Sequence, residues 1–162
     1  MRALRVVVIL VLALALSAPV LAANFQAGVE AAKRGDLATA LKEWRPLAEE
    51  GHAEAQRHLG IMYYSGSGVT QDYAEAEKWY RLSAEQGNAE AQLKFCWMYN
   101  WGFGGVTPDE VQALMWCNLA VAHFPPGERR DMAVSNRESV KNFMSPAQVA
   151  EAERLAREWK PK

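Results

Sequence analysis

Two cysteines, three histidines and six tryptophans are the side chains of this 162-residue sequence with the most chemistry to offer. The aromatic ones concentrate once. Trp97 and Trp101 stand four positions apart, and Trp101-Gly102-Phe103-Gly104-Gly105 sets two large rings in a glycine loop. Rings at the lip of a groove are what anchors a partner, each able to carry about 2 kcal/mol or more when buried. The same rings could instead pack over the edge of the C-terminal helices, and both readings stay open. Gln56 and Gln92 recur at equivalent places in the chain, where each could hydrogen-bond a peptide or cap a neighbouring helix. Cys96 and Cys117 are close enough in sequence to bridge if their α-carbons come within about 7 Å. A bridge closing about twenty residues would add roughly 3 kcal/mol; two buried thiols are the alternative.

Catalytic and metal patterns are not found. The sequence has no His-Glu-x-x-His, no Gly-x-Ser-x-Gly and no phosphate loop, since Gly66 and Gly68 are not followed by Gly-Lys-Ser/Thr. His52, His58 and His123 do not fall at ligand spacing, and His52 stands where the next unit has Asn88, a turn position. No enzyme, metal or cofactor is expected.

These residues sit on a repeat. Asp36 to Gln56 returns thirty-six residues later as Asp72 to Gln92, with eight of sixteen positions identical from Asp36 to Gly51 and Ala53-Glu54-Ala55-Gln56 repeated whole. Self-similarity at this period marks stacked supersecondary units. Apolar residues fall at helical spacing in each: Leu37, Ala40, Leu41, Trp44 and Ala48; Ala55, Leu59, Gly60 and Tyr63; Ala76, Trp79, Tyr80 and Ala84; Ala91, Phe95, Cys96 and Tyr99; Ala113, Trp116, Cys117 and Val121. Gly60 should let a neighbouring helix approach closely.

Local signals set the ends. Asp36 can cap, Asp72 with Glu75 forms a cap and its partner, and Thr107-Pro108-Asp109-Glu110 combines a capping box with proline at the first helical position. Pro46 should bend its helix without stopping it. Ser145-Pro146-Ala147-Gln148 opens a last helix whose stripe Val149, Ala152, Leu155, Ala156 and Trp159 makes it a lid over the stack. The expected organisation is a signal peptide at 1–22, a first helix pair at 24–51, repeats at 52–87 and 88–124, and a helical cap at 125–162.

Residues 1–22 carry Arg2 and Arg5, an apolar run from Val6 to Leu16 and small residues near Ala22, the parts of a secretory signal. An uncleaved anchor is the alternative. Without that segment sixteen basic residues face nineteen acidic ones, a net charge of −3. That balance recruits neither nucleic acid nor anionic lipid, and no stable membrane insertion is expected after cleavage. The expected location is periplasmic or secreted.

Ala55, Leu59, Gly60, Tyr63, Gly66, Gly68, Val69 and Asp72, continued by Ala76, Trp79, Tyr80, Ala84 and Gly87, resemble the Sel1-like repeat (SLR) family, relatives of tetratricopeptide repeats. Residues 36–124 carry the resemblance, and the first pair, joined at Gly35-Asp36, is closer to the tetratricopeptide form. The resemblance implies an all-α, right-handed α/α superhelix, a solenoid whose concave surface binds a protein or peptide. It also implies an adaptor or regulator of the bacterial envelope, with cell-wall binding as an alternative. Some cysteine-rich relatives are linked to β-lactam hydrolysis, but this sequence has no Ser-x-x-Lys and lacks a cysteine pair in every repeat.

Overall fold

A short polar side chain sets the start of most helices. Asp36, His52, Asp72, Asn88, Asp109 and Ser145 each accept a hydrogen bond from a backbone N–H of the first helical turn, satisfying donors that the helix itself leaves free. The computed structural model describes residues 25–162, so the expected signal peptide at 1–22 lies outside the described residues. Helix α1 occupies 25–33 of the described chain. It is followed by α2 (Leu37–Glu49), α3 (Ala53–Ser65), α4 (Tyr73–Glu85), α5 (Ala89–Trp101), a 3-10 turn (Phe103–Gly105), α6 (Glu110–His123), α7 (Glu128–Lys141) and α8 (Pro146–Glu158). No strand occurs among the described residues.

Each helix packs on the next, α2 on α3, α3 on α4, α4 on α5 and α5 on α6, and α6 then carries both α7 and α8. This is a stack of helix pairs, and it buries the stripes read from the sequence. Ala40, Trp44, Ala48, Leu59 and Trp79 form one core; Ala76, Tyr80, Phe95, Cys96, Trp116 and Cys117 form the next. Helix α2 runs through Pro46 without a stop. The lid forms as expected from its stripe: Ala152 is buried, Val149, Leu155, Ala156 and Trp159 pack against the second core, and Ser145 with Gln148 completes the reciprocal box.

Two cap assignments need correction. Helix α6 begins at Glu110 with Asp109 as its cap, so Pro108 lies outside the helix and Thr107 caps nothing. The repeat register decides this. The Asp109 N–H donates to the Tyr99 carbonyl at 2.9 Å, as the Asp72 N–H donates to the Tyr63 carbonyl at 3.0 Å, and the 3-10 turn takes up the one extra residue between them. Asp72 caps α4 alone through the N–H groups of Ala74 and Glu75, while the Glu75 carboxylate turns outward to Lys78 at 3.2 Å.

Close approach recurs at one level of each pair. A Cβ at Gly28 would meet the Trp44 ring at 2.4 Å, and one at Gly60 would meet the Tyr80 ring at 2.8 Å. In the next unit the same two places hold Cys96 and Cys117, which are joined by a disulfide with α-carbons 5.1 Å apart. A covalent link there replaces a glycine-on-aromatic contact.

Candidate partner-binding face

Helix α5 carries Lys94, Trp97 and Trp101 along one side. The three recur at spacings of three and four residues, so they line up on a helical surface. Lys94 and Trp97 are half-buried, while Trp101 at the end of the helix is 66% exposed. Gly102, at φ +67°, turns the chain by the left-handed conformation that glycine adopts without strain, and Phe103 just beyond it is 52% exposed. The covering of a C-terminal edge by these two rings, one of the two expectations, is not what holds them: most of their surface meets solvent.

A groove of about 260 Å³ lies where α3, α5 and α7 meet, lined by Arg57, Tyr64, Glu90, Lys94, Trp97 and Arg129 among others. These three are the first helices of successive pairs. Arg57 is held by Glu54 at 2.9 Å and Arg129 by Glu90 at 3.2 Å. Burial works against the Glu54 carboxylate, but Arg57 and the Asn88 amide hold it below the usual carboxylate range. Lys94 has no carboxylate partner among the described residues. Its ammonium stands 3.5 Å from the centre of the Tyr64 ring and 5.9 Å from that of Tyr80, and burial pushes its pKa down from the ordinary lysine value.

One turn further along α5, Trp101 borders a second hollow of about 780 Å³ with Pro108, Val111, Val140 and Phe143. Phe143, at 85% exposure, is the most exposed large apolar side chain of those described, and nothing in the sequence reading singled it out. It follows the last turn of α7 outside any apolar stripe, and that isolation was the available signal. Arg129 at the start of α7 meets Glu90 at the start of α5, and Val140 near its end meets the hollow by Trp101. Thus α7 and α5 run in the same direction, and the groove and hollow lie along one side of the molecule.

The glutamines are not part of that surface, which corrects the expectation that they could meet a peptide. Gln56 and Gln92 are 3% and 0% exposed. Each donates its Nε2 to a carbonyl of the preceding unit, Ala48 or Ala84, at 3.0 Å. Their Oε1 atoms are also engaged, Gln56 by Gln86 at 2.7 Å and Gln92 by His123 at 2.8 Å. A buried amide whose nitrogen donates and whose oxygen is also engaged is a fixed joint between units. His52 serves as a cap, its Nδ1 accepting from the Ala55 N–H at 3.2 Å. His58 stacks on Trp44 at 4.2 Å, and no three His, Cys, Asp or Glu side chains group to hold a metal ion among the described residues.

A sequence model of the Sel1 repeat matches residues 53–88 and 89–123. The chain carries two Sel1 repeats. Solved structures agree in architecture. The c5321 protein, a protective antigen present in uropathogenic Escherichia coli strains displaying an SLR fold, is 27% identical with a TM-score of 0.76 over 86% of this chain and 29% of its own. A Sel1 repeat protein from Oxalobacter formigenes is 24% identical with a TM-score of 0.56 over 78% of this chain and 60% of its own, a likeness of fold. The chain thus spans under a third of the first of these proteins and three fifths of the second. No curated protein matches. Sel1 repeats generally mediate protein–protein interaction, and their fold is typically a non-enzymatic scaffold.

Proposed function

We propose that this protein is a non-enzymatic interaction module of the bacterial cell envelope, an adaptor or regulator that docks a protein or peptide on the side of its repeat stack formed by α3, α5 and α7. The observation that carries the reading is the exposure of Trp101 and Phe103 at the end of α5, where the preceding repeat has Ser65 and Ser67. Exposed rings make no contribution to the protein's own core, and aromatic anchors are the residues on which interface energy concentrates. The repeat stack supports it further, because each pair contacts only its neighbours and leaves an extended surface. The envelope location rests on the secretory pattern of residues 1–22.

Cross-linking in intact cells, comparing the wild-type chain with a Trp101→Ala, Phe103→Ala double variant at equal abundance, tests this. One protein lost selectively from the variant names the partner. The same neighbours with both chains would sink the aromatic-lip assignment. The hollow beside Trp101 and Phe143 also has polar groups, Asn100, Asp109, Glu110 and Gln148, on its rim. A ring beside polar groups suits a sugar, which favours cell-wall binding as the second reading. Co-sedimentation with purified peptidoglycan, lost in the double variant, would support it over a protein partner.

A further inference from the structure

Lys94 occupies the position that His58 occupies one repeat earlier, thirty-six residues before. The two are treated differently by their surroundings. His58 is covered by rings, stacked on Trp44 at 4.2 Å with Phe25 at 5.8 Å. Lys94 instead opens into the groove between α3, α5 and α7, a half-buried ammonium that rests against the faces of Tyr64 and Tyr80. The two carboxylates within this region are already held by other groups. Glu90 is engaged by Arg129 at 3.2 Å, and Glu54 by Arg57 at 2.9 Å and by the Asn88 amide at 2.6 Å. Of the three cations lining the groove, Arg57 and Arg129 are thus paired, and Lys94 is left without a carboxylate partner among the described residues. Burial depresses the Lys94 pKa, and an anion placed against it would restore the charged form.

Apolar surface lies beside this cation. Trp97 is half-buried in the same groove and Ile61 is 40% exposed at its edge. An occupant that matches both features carries a carboxylate next to a large apolar side chain.

Resting on the interaction role given above, we propose that this groove takes an acidic segment of a partner protein, an Asp or Glu carboxylate seated on Lys94 and the adjacent apolar side chain against Trp97 and Ile61. Charge complementarity selects the segment, and the rings of Tyr64 and Tyr80 keep the Lys94 ammonium in place without neutralising it.

Fluorescence anisotropy on the chain without residues 1–22 tests the proposal with defined probes. One is a dye-labelled octapeptide alternating Asp or Glu with Phe; the other has Asn and Gln in place of Asp and Glu. The acidic peptide is expected to bind at least tenfold more tightly, with a preference that shrinks as salt is raised. Lys94→Met, which keeps the apolar stem, should bring the two peptides within twofold of each other, and Lys94→Arg should retain the preference. Unchanged melting of Lys94→Met establishes that the loss is not one of folding.

Equal binding of the two peptides, absence of binding by either, or a preference that survives Lys94→Met would each overturn the proposal. Tighter binding of a dye-labelled oligonucleotide than of the acidic peptide would overturn it too, showing a general polyanion site. The Trp101→Ala, Phe103→Ala variant separates this inference from the one beneath it. If the acidic preference persists there undiminished, the groove stands and the aromatic lip falls. If both peptides bind equally but only when the lip is intact, the lip stands and the role of Lys94 falls.

Discussion

Tyr80 lies where a side chain on residue 60 would have to be, the would-be Cβ being 2.8 Å from its ring. Gly60→Ala must therefore push a buried ring or the helix itself, and overpacking of this kind costs about 1 to 3 kcal/mol. Calorimetry should find a lowered melting temperature, and an unchanged one would mean that the ring moves freely. Trp79, 5% exposed in the first core, belongs to the opposite class: Trp79→Ala should lose about 3 to 5 kcal/mol. His58 gives the stack a pH dependence. Burial first, then the nearby charge of Arg57, pushes its pKa from 6.5 down to about 4, while Glu54 pulls the other way. The folded state holds the neutral ring, so this contribution is fully present above pH 6.5 and is lost as pH falls from there toward 4. After allowance for partial solvent access the loss is on the order of 2 kcal/mol. Urea melts at several pH values should show it, and His58→Phe should flatten that window; an equally steep dependence in the variant would refute the assignment. At this scale the sequence showed which residues recur but not always which way they point. Gln56 and Gln92 have the same spacing whether they face a partner or a neighbouring unit, and only the hydrogen bonds they donate to the Ala48 and Ala84 carbonyls decide.

Helix boundaries were largely legible, because a cap is a local transaction between one side chain and the next turn. Asp36, Asn88 and Ser145 act where the sequence places them. The start of α6 was not, because two acceptors, Thr107 and Asp109, compete for it. A long-range bond from the Asp109 N–H to Tyr99 settles the contest, and no local pattern contains it. The cysteines show the same limit. That Cys96 and Cys117 both depart from the repeat pattern was visible, and that these two places touch is visible only once Gly60 is seen against Tyr80. Joining α5 to α6 across twenty-one residues, the disulfide should contribute roughly 3 kcal/mol. Thermal melts with and without reductant, and of Cys96→Ser with Cys117→Ser, measure it. Equal melting in all three would show that the link adds nothing.

At the level of the whole molecule, the repeat period made the all-helical stack readable from the sequence before any contact was known. The proposed partner surface was not readable in the same way. Stacking needs only the inward stripes, which repeat in kind, whereas the outward residues Lys94, Trp101 and Phe103 differ in kind from their counterparts His58, Ser65 and Ser67, and Phe143 lies beyond the repeats. The grouping of Lys94, Trp101 and Phe143 on one side depends on α7 running in the direction of α5. Five of the six tryptophans divide between two places, Trp44, Trp79 and Trp116 buried in the stack and Trp97 and Trp101 lining the groove and hollow of the proposed partner face. Trp159 fastens the lid through the second core and the edge of His123. The measurement that bears most directly on this division is a titration of the 15N-labelled chain with the acidic phenylalanine peptide, followed at the indole N–H resonances. The Trp97 and Trp101 signals should move together while those of Trp44, Trp79 and Trp116 stay in place. Movement at Trp79 or Trp159 with Trp97 and Trp101 unmoved would put the partner on another face and contradict it.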